Sequence, residues 1–167
     1  MNMSDNPGLV PNKILIGERL YAEAINIILA NAKTELLIFD QDLSHGDFAS
    51  LEKHDLLQSF LADNINSRLT IVLQDTNFFR DSCPRLFNLL AIYGHKMTVY
   101  ETNDTAKHAK DCFILADGQH YIKRIHIDQA RFKYALDDLE SVEQLHTRFE
   151  ELLEATQDVV AVTQTGL

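Results

Sequence analysis

Residues 107–118, Lys-His-Ala-Lys-Asp-Cys-Phe-Ile-Leu-Ala-Asp-Gly, set a histidine and two lysines directly before a short apolar strand and an aspartate directly after it. The closing Asp117-Gly118 pair favours the two-residue hairpin turn, because Asp and Gly tolerate the positive φ that such turns require. A return strand is therefore expected over Gln119 to Ile125, carrying Lys123 and Arg124. Ammonium and guanidinium groups match the oxygens of a phosphate. Lys110, Lys123, Arg124 and Arg131 are accordingly candidate donors to a phosphate-containing small molecule. The competing reading pairs the same cations with Asp111, Asp117 and Asp128 as surface ion pairs.

Other residue groups offer weaker chemistry. Asp40-Gln41-Asp42 closes the apolar run Leu36 to Phe39, a place where carboxylates commonly serve loop and helix-cap hydrogen bonds. Ser44-His45-Gly46-Asp47 contains the residue types of a nucleophilic triad, but neighbours in sequence rarely face one another as such a triad must. The histidines and cysteines lack paired spacings such as Cys-x-x-Cys or His-x-x-x-His, and no Gly-rich nucleotide loop is present. No metal and no cofactor are expected.

Length and composition bound the rest. A chain of 167 residues, 46% hydrophobic and 24% charged, supports one domain with a real core. Residues 1–13, with Pro7, Gly8 and Pro11, are expected to form a flexible lead-in to a single domain over 14–167. Cys83 and Cys112 make no disulfide framework, which favours a reducing, cytoplasmic setting. No apolar run approaches the ~18 residues of a membrane span, so no membrane partner is expected. The net charge of −10 argues against bulk nucleic-acid binding, since it repels a phosphate backbone. Between His95 and Lys133, however, seven Lys or Arg stand against five Asp or Glu, so the basic charge gathers where the His- and Lys-bearing stretch lies.

The elements that must position these groups alternate. Glu18 to Lys33 and Leu51 to Asn64 carry apolar residues at helical spacing, and a third helix begins at Pro84, whose missing N–H costs nothing in a first turn. Glu35 to Phe39, Arg68 to Leu73 and Met97 to Tyr100 read as strands between them. This alternation predicts right-handed parallel crossovers. The Asp117-Gly118 hairpin then makes the sheet mixed. Asp137 to Glu154 is the last strong helix, and Val159 to Val162 a short closing strand. The expected fold class is α/β, a mixed, largely parallel sheet sandwiched between helices.

With these elements in place, the 107–118 stretch resembles one half of a phospholipase D-type domain of the single-half bacterial kind, whose motif runs His-x-Lys, four residues, then Asp, with Gly-Ser and Asn one strand later. Matching on His108 and Lys110 places the motif's Asp on Leu115. Matching on Asp117 places Lys110 and Cys112 at the His and Lys positions, and about Arg124-Ile125 and Ile127 at the Gly-Ser and Asn positions. The two registers differ by two residues, about 7 Å along a strand, whereas nucleophile and cationic clamp must be held close together. The resemblance thus implies a phospholipase D-like domain that does not catalyse and binds a phosphate-containing ligand or a protein partner.

Two catalytic alternatives stand beside it. One is a homodimeric, metal-independent phosphodiesterase, with His108, Lys110 and Asp117 as its catalytic set and its site built across a twofold axis; the homodimer is also what the resemblance implies for the inactive form. The other follows from Leu36 to Asp42, which resembles the first motif of haloacid dehalogenase-type phosphatases. That resemblance implies Asp40 as nucleophile, Asp42 as acid/base, Mg²⁺ between them and metal ligands from Asp137-Asp138.

Overall fold

The computed structural model describes residues 8–162. Eight strands form one sheet in the order β1-β7-β6-β5-β2-β3-β4-β8. They are β1 (Leu15–Ile16), β2 (Glu35–Asp40), β3 (Arg68–Leu73), β4 (Met97–Thr102), β5 (Cys112–Ala116), β6 (His120–His126), β7 (Gln129–Ala135) and β8 (Thr156–Val159). The helices are α1 (Glu18–Asn31), α2 (Leu51–Asp63), α3 (Asn77–Ser82), α4 (Pro84–Ile92) and α5 (Leu139–Glu154).

The mixed α/β architecture agrees with the sequence, but the balance of directions differs from it. Parallel pairing is confined to β2, β3 and β4, and every other neighbour pair is antiparallel. The reason is the hairpin half of the sheet. Asp117 (φ 58) and Gly118 (φ 68) make the expected tight turn, with Gln119 N–H donating to Ala116 O at 2.9 Å. β6 then turns back once more into β7, whose Phe132 and Tyr134 are buried while Arg131 is exposed and Lys133 half-buried.

The unbroken apolar run of β2 is covered on both faces, as buried central strands are. Leu36 and Ile38 join the core under α1, α2 and α4, whereas Leu37 and Phe39 join the core under α5. Phe113 fills the α5 side between Phe39 (ring centroids 5.7 Å apart) and Phe149 (6.4 Å). Of the residues expected to form a loose lead-in, 1–7 lie outside the described residues. Leu9 is buried and Asn12 N–H donates to Tyr134 O at 2.9 Å, so 8–13 are tied to β7. Cys83 and Cys112 are both buried free thiols. Among the described residues no helix is long and apolar enough to cross a membrane.

Candidate functional site

Strand register assembles a polar row at the end of β2. Cys112 on β5 is paired with Arg124 on β6, and Phe39 lies opposite Phe113, so one step further along the ladder Asp40 stands beside Cys112. Directly paired residues share a sheet face. Asp40, Cys112 and Arg124 therefore line up beneath α1, where the Tyr21 hydroxyl lies 3.4 Å from Cys112 Sγ. The Tyr21 ring also sits 4.9 Å from the Arg124 guanidinium carbon, within cation–π range.

Arg124 is fully buried, and four hydrogen bonds engage its guanidinium. Nη1 and Nη2 donate to the two carboxylate oxygens of Glu18 at 2.7 and 2.8 Å, Nη2 also to Ile127 O at 2.9 Å, and Nε to His126 O at 3.3 Å. The carbonyls come from the stretch where the β6–β7 register shifts between Arg124 and His126. These hydrogen bonds hold the Glu18 carboxyl below its ordinary range. Across the rest of the row burial favours the protonated forms. Burial pushes the Cys112 thiol well up, with the Asp40 charge adding to it, and a protonated thiol is a poor nucleophile. Burial likewise lifts Asp40 to about 7, against the N–H bonds it accepts from Gln41, Asp42 and Leu43.

The residues expected to form a catalytic set are separated. His108 and Lys110 are exposed on the loop between β4 and β5. That loop is pinned over the end of β3 by Gln74, whose Nε2 donates to Ala106 O (3.0 Å) and Ala109 O (2.8 Å), and by Lys107, whose Nζ donates to Gln74 O (2.7 Å). Asp117 lies past the far end of β5, and five residues of strand at about 3.3 Å each put it roughly 16 Å away. There its carboxylate accepts the backbone N–H groups of Lys33, Thr34 and Glu35 at 2.8, 2.8 and 2.9 Å. Asp117 fastens the start of β2 and does not approach His108 or Lys110.

The expected phosphate donors are dispersed as well. Arg124 is closed by Glu18, and Lys123 Nζ lies 3.7 Å from Asp111, which also accepts from Arg148 at 2.7 Å. Lys110 and Arg131 are exposed, Arg131 at the opposite side of β7 from β6, across from Ile16. The ion-pair reading thus holds for Lys123 through Asp111, while Arg124 chooses a partner, Glu18, far away in sequence.

The phosphatase geometry is likewise not formed. The Asp40 carboxyl turns onto its own backbone, Asp42 Oδ1 accepts from Ser44 N and Oγ at 2.9 and 2.6 Å, and Asp138 caps α5 through Ser141. Asp137-Asp138 follow β7 at the Asp117 end of the sheet, so they cannot join Asp40 around a metal. No group of three or more potential ligands surrounds a metal position among the described residues.

Sequence reasoning missed Glu18, Tyr21 and Gln74. A usable signal existed for the first: alternation along β6 puts Arg124 on the same face as Ile122, and an arginine on a core face requires a carboxylate. Nothing local identifies which one, since Glu18 is 106 residues away.

Comparison with known families matches residues 18–162 to the family described as "Domain of unknown function (DUF7931)". The chain belongs to the DUF7931 family. No curated protein matches it. Among solved structures, the DUF7931 chain is similar to TrmBL2, an archaeal chromatin protein, with a TM-score of 0.65 and 14% identity over 91% of this chain and 56% of that one. It therefore spans little more than half the length of TrmBL2. It is also similar to NucT from Helicobacter pylori (TM-score 0.56, 11% identity, 86% of this chain and 96% of that one). Nuc from Salmonella typhimurium, a phospholipase D family member, gives a TM-score of 0.53 and 10% identity over 87% and 97%. The fold of the DUF7931 chain is phospholipase D-like.

One expectation is overturned by these likenesses. Net charge argues against bulk nucleic-acid binding, yet TrmBL2, an archaeal chromatin protein of similar fold, shows a novel mode of DNA binding. The exclusion does not stand. A whole-chain sum averages over faces that a long polyanion would meet one at a time, and screening confines each charge's reach to about 10 Å.

Proposed function

We propose that this DUF7931 domain is a binding module on a phospholipase D-like scaffold that does not hydrolyse phosphodiesters. The reading registers the motif on Asp117, which leaves Lys110 and Cys112 at the His and Lys positions and makes the reactive set degenerate. The observation that carries it is the state of Arg124, which stands about where the motif has its Gly-Ser. Its guanidinium is fully buried and all its described hydrogen bonds go to Glu18 and two main-chain carbonyls, so it is not presented to a ligand. A nucleophile and a cationic clamp must also lie within a few ångströms of one reacting atom, and an exposed Lys110 beside a buried protonated thiol supplies neither in place. Two of the four candidate phosphate donors already face carboxylates, so the binding role is not assigned to a clamp of all four.

The test is hydrolysis of bis(p-nitrophenyl) phosphate without added metal. The expected result is no nitrophenolate above the buffer blank, and the same trace from His108→Ala. Turnover in the parent chain that disappears in His108→Ala would overturn the proposal.

A further inference from the structure

The sheet face under α5 is covered over only part of its width. α5 rests on β4, β5 and β6, and the apolar core it seals ends, on the hairpin, at Tyr121 and Ala135. Nearer the β6–β7 turn the same face carries Lys123 and Lys133, which are directly paired, and then the exposed Arg131. Ile16 on β1, paired with Arg131 and 69% exposed, closes the strip on its outer side.

Like charges directly opposite each other on neighbouring strands are destabilising. The carboxylates within reach do not settle this strip. Asp111 lies 3.7 Å from Lys123 Nζ but is engaged at 2.7 Å by Arg148. Asp138, which lies within electrostatic reach of Lys133, is tied to Ser141 at the start of α5. Arg131 has no ion-pair partner among the described residues.

Beside the strip α5 stands as a ridge, about 10–12 Å thick with its side chains. Val142, Leu145, Phe149 and Leu152 face the sheet, which turns Glu140, Glu143, Glu151 and Glu154 to solvent. Arg148, the one arginine or lysine of this helix, is bent down to Asp111. An acidic ridge thus borders a basic, recessed strip. A polyanion on the strip would lie within the ~10 Å reach of the ridge's carboxylates at 0.1 M salt, and a polycation on the ridge would meet the lysines. A second copy turned about a twofold axis carries the same two bands in reverse order, and a self-complementary patch of this kind is what an isologous dimer uses.

We infer that two copies of this chain pair through this surface, α5 of each lying over Lys123, Lys133 and Arg131 of the other, about an axis along the border of α5 and β6. The twofold implied by the phospholipase D resemblance is a different one, since it unites the motifs, whereas Lys123 and Lys133 stand on the sheet face opposite Cys112 and Arg124. The pairing is independent of whether phosphodiesters are cleaved.

Sedimentation velocity of the full chain over a concentration series tests it. The parent is expected to dimerise, more weakly as NaCl rises. Arg131→Glu with Lys133→Glu makes the strip acidic, and Glu151→Lys with Glu154→Lys makes the ridge basic. Each variant alone should self-associate about a hundredfold more weakly, because like charges then face each other on both sides of the axis. Mixed in equal amounts, the two should form a heterodimer, since reversed strip meets reversed ridge and native ridge meets native strip. Should the strip variant fail to fold, the ridge variant, altered only at exposed residues, must still show the loss. A parent that sediments as a monomer throughout overturns the inference, and binding of a fluorescent oligonucleotide by that monomer would give the strip to a polyanion instead. A dimer that neither reversal weakens, or folded variants that do not combine, overturns the assigned surface.

Discussion

The two ends of β5 hold their polar groups by different means. At its far end Asp117 faces solvent in part, sits in a tight turn, and accepts three backbone N–H groups from 33–35. At its near end Cys112 is buried in a row with Asp40 and Arg124, under Tyr21, and the charge present is cancelled by Glu18. The first end works through main-chain geometry, which any sequence around it can supply. The second works through side-chain chemistry, which a single replacement can convert from reactive to structural.

If the near end is structural, the largest loss belongs to Arg124→Ala. It leaves two carbonyls without their donor, at about 1–3 kcal/mol for each unsatisfied group, while the Glu18 carboxylate, 55% exposed, returns to water. The urea midpoint should fall accordingly, and Arg124→Lys should recover little, because an ammonium cannot reproduce the two-pronged bond to Glu18.

The far end should respond less. Asp117→Ala is expected to cost about 1.5–3 kcal/mol, the net worth of hydrogen bonds to a charged group, since the freed N–H groups of 33–35 are exposed and return to water. Partial burial pushes the Asp117 carboxyl up, but the N–H bonds from Glu35, Thr34 and Lys33 prevail and hold it below the ordinary range. A lowered folded-state value means this stabilisation is present above pH 4 and is lost as pH falls through the folded pKa. Urea titrations of parent and Asp117→Asn should thus converge in acid; a constant gap down to pH 2 would break the contrast.

Asp40 has the opposite sign and the smallest effect. Its folded value of about 7 exceeds the model-peptide 3.8, so ionisation opposes folding. The carboxyl's contribution is fully present below pH 4 and declines as pH rises from 4 to 7. Asp40→Asn should remove that slope and gain about 1–2 kcal/mol at pH 8, a fraction of what a shift of this size implies. Equal stability of the two proteins at pH 8 would show that the row is not buried as described.

The parallel half was legible because each of its strands is a nearly unbroken apolar run between well-spaced helices. The tight turn was legible because Asp117-Gly118 is a local signal. β7 escaped because Arg131, a candidate phosphate donor, and Lys133 are the outward positions of an alternating strand. β1 and α3 are too short, at two and six residues, to carry a period. The closing strand forms at Thr156–Val159 and not at the apolar Val159 to Val162, since an edge strand needs backbone pairing with β4 more than it needs apolar side chains. For the site, residue types were visible but convergence was not, because the ties that arrange them span 32 to 106 residues.

The join between β2 and β5 has a kinetic meaning. It is the only ladder linking the hairpin strands β5–β7 to the parallel strands β2–β4 among the described residues, and closing it brings together Leu36 and Ala116, on either side of two entire crossovers. A pairing so remote in sequence forms slowly. The sheet is thereby obliged to assemble as one cooperative unit, with its rate set at that central seam.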